Sequence, residues 1–396
     1  MFPTDVVIVA GARTPMARYT GSFSDLSAIE LGALASKAAI QRSGVDPGDF
    51  DHAIFGNVLQ TSADAIYGAR HVGLKAGLKV ETPAVTVNRL CGSGIEAIAQ
   101  AAQRLLLEEA TMVLAGGMEN MTQAPFVIRG ARTGLKLGGG ALEDFLFVGL
   151  TDSYCGLPMA MTAEKLAEQT GITRMDSDAY ALRSQQAAEA AYHAGYYKEE
   201  IVPVEVKQGR KTIVVSEDDH RRPETTMETL EKLPSSFKKD GMVTAGNASG
   251  IVDGAAAVVL TREKSAQERG LKPIGRIVSW AVTGVDPTIM GIGPVPSTRK
   301  ALQLAGLKLA QIDRVEVNEA FASQYLAVEK GLELDRDKTN VNGGAIALGH
   351  PLGATGTRLV IAVLNELRRK GLRYGLATAC IGGGQGIAMI VEAVNN

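Results

Sequence analysis

The chain has 396 residues, 45% of them hydrophobic and 21% charged, with a formal net charge of −2. That length exceeds one ordinary core, so two or three domains are expected. The near-neutral charge argues against nucleic acid or an anionic membrane as the main partner, and no apolar run is long enough to span a bilayer. Three cysteines, Cys91, Cys155 and Cys380, form no CxxC pair and no disulfide framework, which fits a reducing compartment. The five histidines show no HExxH or paired Cys/His spacing, so no metal site is expected.

The opening Met1–Asp5 lacks the basic start and apolar stretch of a secretory signal and runs into a strand-like Val6–Ala10. Ala39-Ile40-Gln41-Arg42-Ser43-Gly44 then leads to Asp51 and the strand-like Ala53–Phe55. Pro83–Val87 reads as a strand, led by proline and rich in valine and threonine. From Ile95 to Leu107 apolar residues recur at helical spacing. Cys91, in Asn88-Arg89-Leu90-Cys91-Gly92-Ser93-Gly94, lies on the junction between the two. Unpaired N–H groups and the helix dipole favour an anion there and are expected to lower the thiol pKa. The other reading of a lone cysteine is a small packed hydrophobe. A strand-like Val113-Leu114-Ala115-Gly116-Gly117 follows.

From about Asn120 to Asp253 the texture changes: a glycine- and arginine-rich segment over 129–140, a helical pattern from Ala163 to His193, and a charged stretch over 217–223. An inserted loop domain is the natural reading. Beyond it the first pattern returns. Ala301-Leu302-Gln303-Leu304-Ala305-Gly306 leads to Asp313 and Val315–Val317 with Ala, Gln, Gly and Asp at the same offsets as before. Val341-Asn342 mirrors Val87-Asn88, and Leu376–Cys380 mirrors Val113–Gly117. Internal repetition of strand–helix units implies two similar α/β domains, each with a mainly parallel sheet covered on both faces. Ligand sites in such sheets form at the carboxyl ends of strands, so both glycine turns are expected to face one site.

Three polar groups end elements of the second half: Asn318-Glu319-Ala320-Phe321, Gly349-His350-Pro351 and Cys380-Ile381-Gly382-Gly383-Gly384. A nucleophilic Cys91 needs a base, and His350 is the best-placed histidine; Cys380 offers a second thiol for proton transfer. Taken singly, His350, Cys380 and Asn318 are equally readable as structural residues, and Cys155 as a bystander. The run 349–356 lacks the lysine of a phosphate loop, and Gly382–Gly384 leads into the strand-like Ile387–Val391 where a dinucleotide fingerprint needs a helix.

Cys91-Gly92-Ser93-Gly94, Asn318-Glu319-Ala320-Phe321, Gly349-His350-Pro351 and Cys380-Ile381-Gly382 together resemble the four signature blocks of the thiolase family, and Val243–Gly250 extends the resemblance. Within the family, Gly56–Gln60, Ala69–Leu74, Leu157–Glu164 and Ser323–Glu329 are most similar to the mitochondrial type of 3-ketoacyl-CoA thiolases and their bacterial relatives. The resemblance implies the α/β thiolase fold: two βαβ-type domains in an αβαβα layering. Residues 1–119 and 251–272 would form the N-terminal domain, 120–250 the loop domain and 273–396 the C-terminal domain.

It implies cleavage of 3-ketoacyl-CoA by CoA, and the reverse Claisen condensation, through an acyl-Cys91 intermediate. Cys91 would be activated by His350, and Cys380 would exchange the proton of the acetyl-CoA carbanion. Asn318 would hold a water beside His350 in one oxyanion hole, and the N–H groups of Cys91 and Gly382 would line the other. CoA is implied as substrate, with no tightly bound cofactor; its contacts would fall on Arg222, Phe237, Ala245, Ser249 and Met159. Pro158-Met159-Ala160 replaces the His-Met-Gly of many acetoacetyl-CoA thiolases, which weighs against an acetoacetyl-only enzyme. The loop with Arg129, Arg132 and Lys136 resembles the family's tetramerisation loop, so a homodimer or homotetramer is implied, in the cytoplasm of a bacterium or a mitochondrial matrix. A ketoacyl synthase or a non-catalytic thiolase-like lipid carrier are the alternatives; the first fits Cys380 poorly, and the second would be expected to lack Cys91, His350 or Cys380.

Overall fold

The computed structural model describes residues 4–394, so Met1, Phe2 and Pro3 of the opening segment lie outside the described residues. Nine strands run through one sheet: β1 (Val6–Arg13), β2 (His52–Gly56), β3 (Ala84–Val87), β4 (Met112–Glu119), β5 (Val252–Arg262), β6 (Gly275–Gly284), β7 (Arg314–Val317), β8 (Tyr374–Ile381) and β9 (Gln385–Ala393). Their spatial order is β7-β8-β9-β6-β1-β5-β4-β2-β3, with a short strand Ala17–Arg18 added on β5. The main helices are α1 (Ala28–Ser43), α2 (Gly68–Ala76), α3 (Ser93–Leu106), α4 (Met159–Thr170), α5 (Arg174–His193), α6 (Pro294–Ala305), α7 (Ala322–Leu332) and α8 (Leu352–Lys370).

The internal repeat is visible in the strand order. In the first half β1, β5, β4, β2 and β3 lie side by side; in the second, β6, β9, β8 and β7 follow the same sequence, and Val315 of β7 bridges Thr339 where the first half has β3. The expectation of mainly parallel sheets is corrected. Only β2 with β3, β2 with β4, and β7 with β8 run parallel, whereas β4–β5, β5–β1, β8–β9 and β9–β6 are antiparallel. For β8 and β9 the cause is local: their connection is a hairpin through Gly383 and Gly384, both at positive φ (78° and 81°), and a hairpin can only join antiparallel strands.

Alternation along the strands sorts side chains into layers. Val113 and Ala115 of β4, with Ala377 and Ala379 of β8, face a central cluster filled by Ile95, Ile98 and Leu105 of α3 and Leu359, Val363 and Leu367 of α8. Met112 and Leu114 face the opposite way, onto α1 and α2. Leu376 of β8 and Ile390 of β9 likewise face α6 and α7. The result is the expected αβαβα stack, with α3 and α8 as its middle layer. A Cβ on Gly94 would lie 2.5 Å from the Thr357 nitrogen and one on Gly356 2.4 Å from the Ile95 nitrogen, so only glycines let α3 and α8 cross backbone to backbone. That close crossing brings the residues just before each helix, Cys91 and His350, to one place.

The inserted segment carries α4, α5 and the hairpin Val204–Val215. Fully buried Arg13 ties it to β1, donating to Asp218 at 2.6 and 2.8 Å and to Glu200 at 3.3 Å. Among the described residues no helix is long and apolar enough to cross a membrane.

Candidate active site

Cys91 is presented by a tight turn after β3. Leu90 sits at φ +46°, a left-handed conformation rare for a bulky side chain. The turn is held by Asn88 Oδ1, which accepts from the Leu90 N–H (2.9 Å), and by buried Ser93, whose hydroxyl accepts from the Arg89 N–H (2.8 Å) and donates to the Leu90 carbonyl (2.7 Å). The Gly382 N–H, at the β8–β9 turn, hydrogen-bonds to Cys91.

His350 is fixed on three sides. Its backbone N–H donates to Gly250 O (2.9 Å), Nδ1 lies 2.6 Å from Thr355 Oγ1, and Nε2 lies 3.3 Å from Asn318 Nδ2. Asn318, at the end of β7, is fully buried, and its Oδ1 has no hydrogen-bond partner. Cys380 is also fully buried at the end of β8, packed with Met290, Ala320, Met159 and Phe321.

Cys91 and His350 open on a cavity of about 310 Å³ whose walls include Met159, Phe237, Ala245 and Ser249. Of the ten residues singled out in the sequence, these six share the cavity wall. Asn318 and Gly382 touch His350 and Cys91 from behind it, and Cys380 lies under the same wall beside Met159 and Met290. Arg222 is exposed and stands outside the residues that line the cavity; its N–H donates to Gln185 Oε1 at 2.9 Å.

The electrostatics correct one expectation. Burial pushes the Cys91 thiol up to about 11, against the opposing N–H groups of Gly382 and of Cys91 itself, and the charge of Glu119 adds to the rise. Burial, with the Arg358 charge second, pulls His350 down to about 3. Desolvation therefore outweighs the helix start, and the resting pair is a neutral thiol and a neutral imidazole. Burial also pushes the Cys380 thiol well above its ordinary value.

Two polar residues beside the site escaped the sequence reading. Thr355 lies one turn into α8, where a hydroxyl carries no signal of its own. Glu119 is a carboxylate ending an otherwise apolar, fully buried strand, which is a legible anomaly. Among the described residues no group of three or more His, Cys, Asp or Glu side chains is placed to hold a metal ion.

Two repeated α/β halves meeting at a cysteine–histidine cavity define a protein of the thiolase fold. A model of the thiolase N-terminal domain matches residues 6–264, and one of the C-terminal domain matches residues 271–393. The chain belongs to the thiolase family. It is 54% identical to the human mitochondrial 3-ketoacyl-CoA thiolase over 98% of each chain, and 49% identical to the acetyl-CoA acetyltransferase of Escherichia coli over 98% of this chain and 99% of that one. The crystal structure of the human enzyme in complex with CoA superposes with a TM-score of 0.96 at 54% identity, covering 98% of both chains. The acetyl-CoA acetyltransferase of Bacillus anthracis superposes at 0.97 with 43% identity, covering 99% of this chain and all of the other.

Proposed function

We propose that this chain cleaves 3-ketoacyl-CoA with CoA to give acetyl-CoA and a shortened acyl-CoA, and runs the reverse condensation, in ping-pong fashion through acyl-Cys91. The observation that carries the reading is the shared cavity wall: Cys91 and His350 open on one apolar pocket with Cys380 directly beneath it. His350 takes the thiol proton as Cys91 Sγ bonds to the 3-keto carbon. The C2–C3 bond then breaks, its electron pair goes to C2 of the departing acetyl-CoA, and the Cys380 thiol protonates that carbon. A second CoA thiol gives its proton to the Cys380 thiolate as it attacks the acyl-Cys91 carbonyl, and the Cys91 thiolate leaves and takes back the proton held on His350. N–H groups of Cys91 and Gly382 stabilise the thioester oxyanion; His350 and a water on Asn318 stabilise the other. The orphaned Oδ1 of buried Asn318 suits that water.

CoA enters as a substrate, with no cofactor held between turnovers, along Met159, Phe237, Ala245 and Ser249. Arg222, exposed on the inserted segment, reaches only the outer end of so long a ligand. We assign 1–119 and 251–272 to the N-terminal domain, 120–250 to the loop domain and 273–396 to the C-terminal domain. The exposed Leu135, Leu137 and Leu142 of the basic loop support assembly into a homodimer or homotetramer. The human relative is named as mitochondrial, which supports the mitochondrial setting over the bacterial cytoplasmic one only for a eukaryotic chain. The acetyl-CoA acetyltransferases among the relatives favour a second reading, restriction to acetoacetyl-CoA.

Intact-protein mass after mixing with acyl-CoA tests the core of this reading: an adduct is expected on the wild type and none on Cys91→Ala, and an adduct that persists in the variant excludes Cys91 as the acyl carrier. Turnover across 3-ketoacyl-CoA substrates from four carbons upward separates the two substrate readings.

A further inference from the structure

The sheet register gives each half of the site a counterpart in the other. Gly56 pairs with Gly117 at the end of β2 and β4, and Val317 pairs with Thr378 at the end of β7 and β8. The next residues are Asn57 and Asn318, and two positions beyond Gly117 and Thr378 stand Glu119 and Cys380. Cys91 and His350 each fall two residues before their helices, α3 and α8. The proposed machinery thus uses one side of this pseudo-symmetry: Asn318 and Cys380 serve the reaction, while Asn57 and Glu119 occupy the matching positions unassigned.

Glu119 is fully buried and its carboxylate is saturated. Oε1 accepts from Asn57 Nδ2 (3.0 Å) and the Leu59 N–H (2.9 Å); Oε2 accepts from the Val58 N–H (3.2 Å) and the Gly353 N–H (2.9 Å). The first three donors belong to the segment after β2, and the fourth to the first turn of α8, between His350 and Thr355. Leu59 and Leu352, on either side of this junction, pack with Cys91 in one apolar cluster. A single side chain from the N-terminal half therefore holds the turn that carries the imidazole, and it does so behind the thiol.

We propose that Glu119 is a positioning residue for the acyl-transfer site, fixing the His350 turn of α8 against the segment that backs Cys91. This rests on the assignment of Cys91 and His350 as nucleophile and base. The titratable groups around the carboxylate are Cys91 before α3, Asp253 on β5 and His350 before α8; among the described residues no lysine or arginine pairs with it. All four of its partners donate, which favours the ionised form, and where it is ionised its charge opposes thiolate formation at Cys91. Backbone N–H bonds hold the ionised form while burial disfavours it, leaving the group near 7.

The test uses two substitutions and two readouts. Glu119→Gln keeps the shape but removes the charge and turns an amide N–H₂ toward donors. Its kcat is expected to fall about tenfold with KM within about threefold, the loss of one charge-assisted hydrogen bond. The pH midpoint for alkylation of Cys91 by iodoacetamide is expected to drop by about one unit. Glu119→Asp keeps the charge and loses reach to Gly353; kcat is expected to fall while the alkylation midpoint stays. Thermal unfolding verifies that each variant is folded. A folded Glu119→Gln with the wild-type alkylation profile, or with wild-type kcat, overturns the proposal. Absence of an acyl adduct on wild-type Cys91 overturns the catalytic reading instead, and the alkylation midpoints then decide Glu119 by themselves.

Discussion

The Nδ1 atom of His350 lies 2.6 Å from the hydroxyl of Thr355, and this contact decides which ring nitrogen is free for proton transfer. Where Thr355 Oγ1 gives its one proton to the Pro351 carbonyl at 3.1 Å, it accepts from the ring. Nδ1 then carries the hydrogen and Nε2 keeps its lone pair, with Asn318 beside it. Thr355→Val leaves a buried N–H without a partner, a cost of about 1–3 kcal/mol that also frees the ring to turn. Acylation of Cys91, followed by rapid-quench mass measurement, is expected to slow about tenfold or more. Thr355→Ser is expected to stay near wild type. Normal acylation in the valine variant would exclude Thr355 as the residue that orients the ring.

The neutral thiol–imidazole pair has a distinct pH signature. With the His350 pKa drawn down to about 3, the base is unprotonated throughout the working range, and with Cys91 up at about 11 the thiol keeps its proton. The single-turnover acylation rate is therefore expected to show its acid limb well below pH 6.5, the ordinary histidine value. The same shift has a stability consequence. The unfolded chain binds a proton at this residue below about 6.5 and the folded chain does not, so folding weakens as pH falls through that window toward the lowered pKa. In His350→Gln the decline in stability between about pH 6.5 and pH 4 is expected to be shallower by urea titration. An acid limb at the ordinary histidine value would show that burial does not lower the imidazole pKa.

Cys380 differs from Cys91 in having no exposure at all, and burial keeps its thiol protonated. A protonated thiol is the form needed to quench a carbanion. Cys380→Ser retains the volume but replaces the thiol with a much weaker acid. Acylation of Cys91 by acetyl-CoA is expected to survive in this variant while cleavage and condensation both fall by at least about a hundredfold. Full turnover would exclude Cys380 as the proton carrier.

How much of this was legible in the sequence follows from the range of the interactions. The repeat, the helix after Cys91 and the strand after Gly384 are local patterns of periodicity and glycine placement, and all three stand where the sequence put them. Strand direction was not legible: β5 follows an insertion of more than a hundred residues, and no local pattern states on which side, or which way, it returns beside β4. The lowered thiol pKa expected of a helix start was wrong because burial is set by Leu59, Met121, Leu146 and Leu352, which are far from Cys91 in the chain. Glu119 reaches Gly353 across 234 positions, so its anomaly was readable but its partner was not.

The backbone that anchors His350 is itself packed beneath a ring from the inserted segment. A Cβ on Gly250 would come 2.2 Å from His220 Nε2 and 2.4 Å from Cε1, so the imidazole lies directly over this residue. Gly250 is the residue whose carbonyl accepts the His350 N–H at 2.9 Å. Burial, with the Arg222 charge second, lowers His220 to about 4, so the ring is a neutral packing surface at neutral pH. Gly250→Ala forces the ring or the carbonyl aside, and overpacking of this kind costs about 1–3 kcal/mol. Melting temperature and Cys91 acylation are both expected to fall. His220→Ala removes the obstacle, so the double variant is expected to regain part of what Gly250→Ala alone loses, a coupling that a double-mutant cycle measures directly. Strict additivity of the two substitutions would show that the ring does not bear on Gly250, and that the Gly250 carbonyl holds His350 without it.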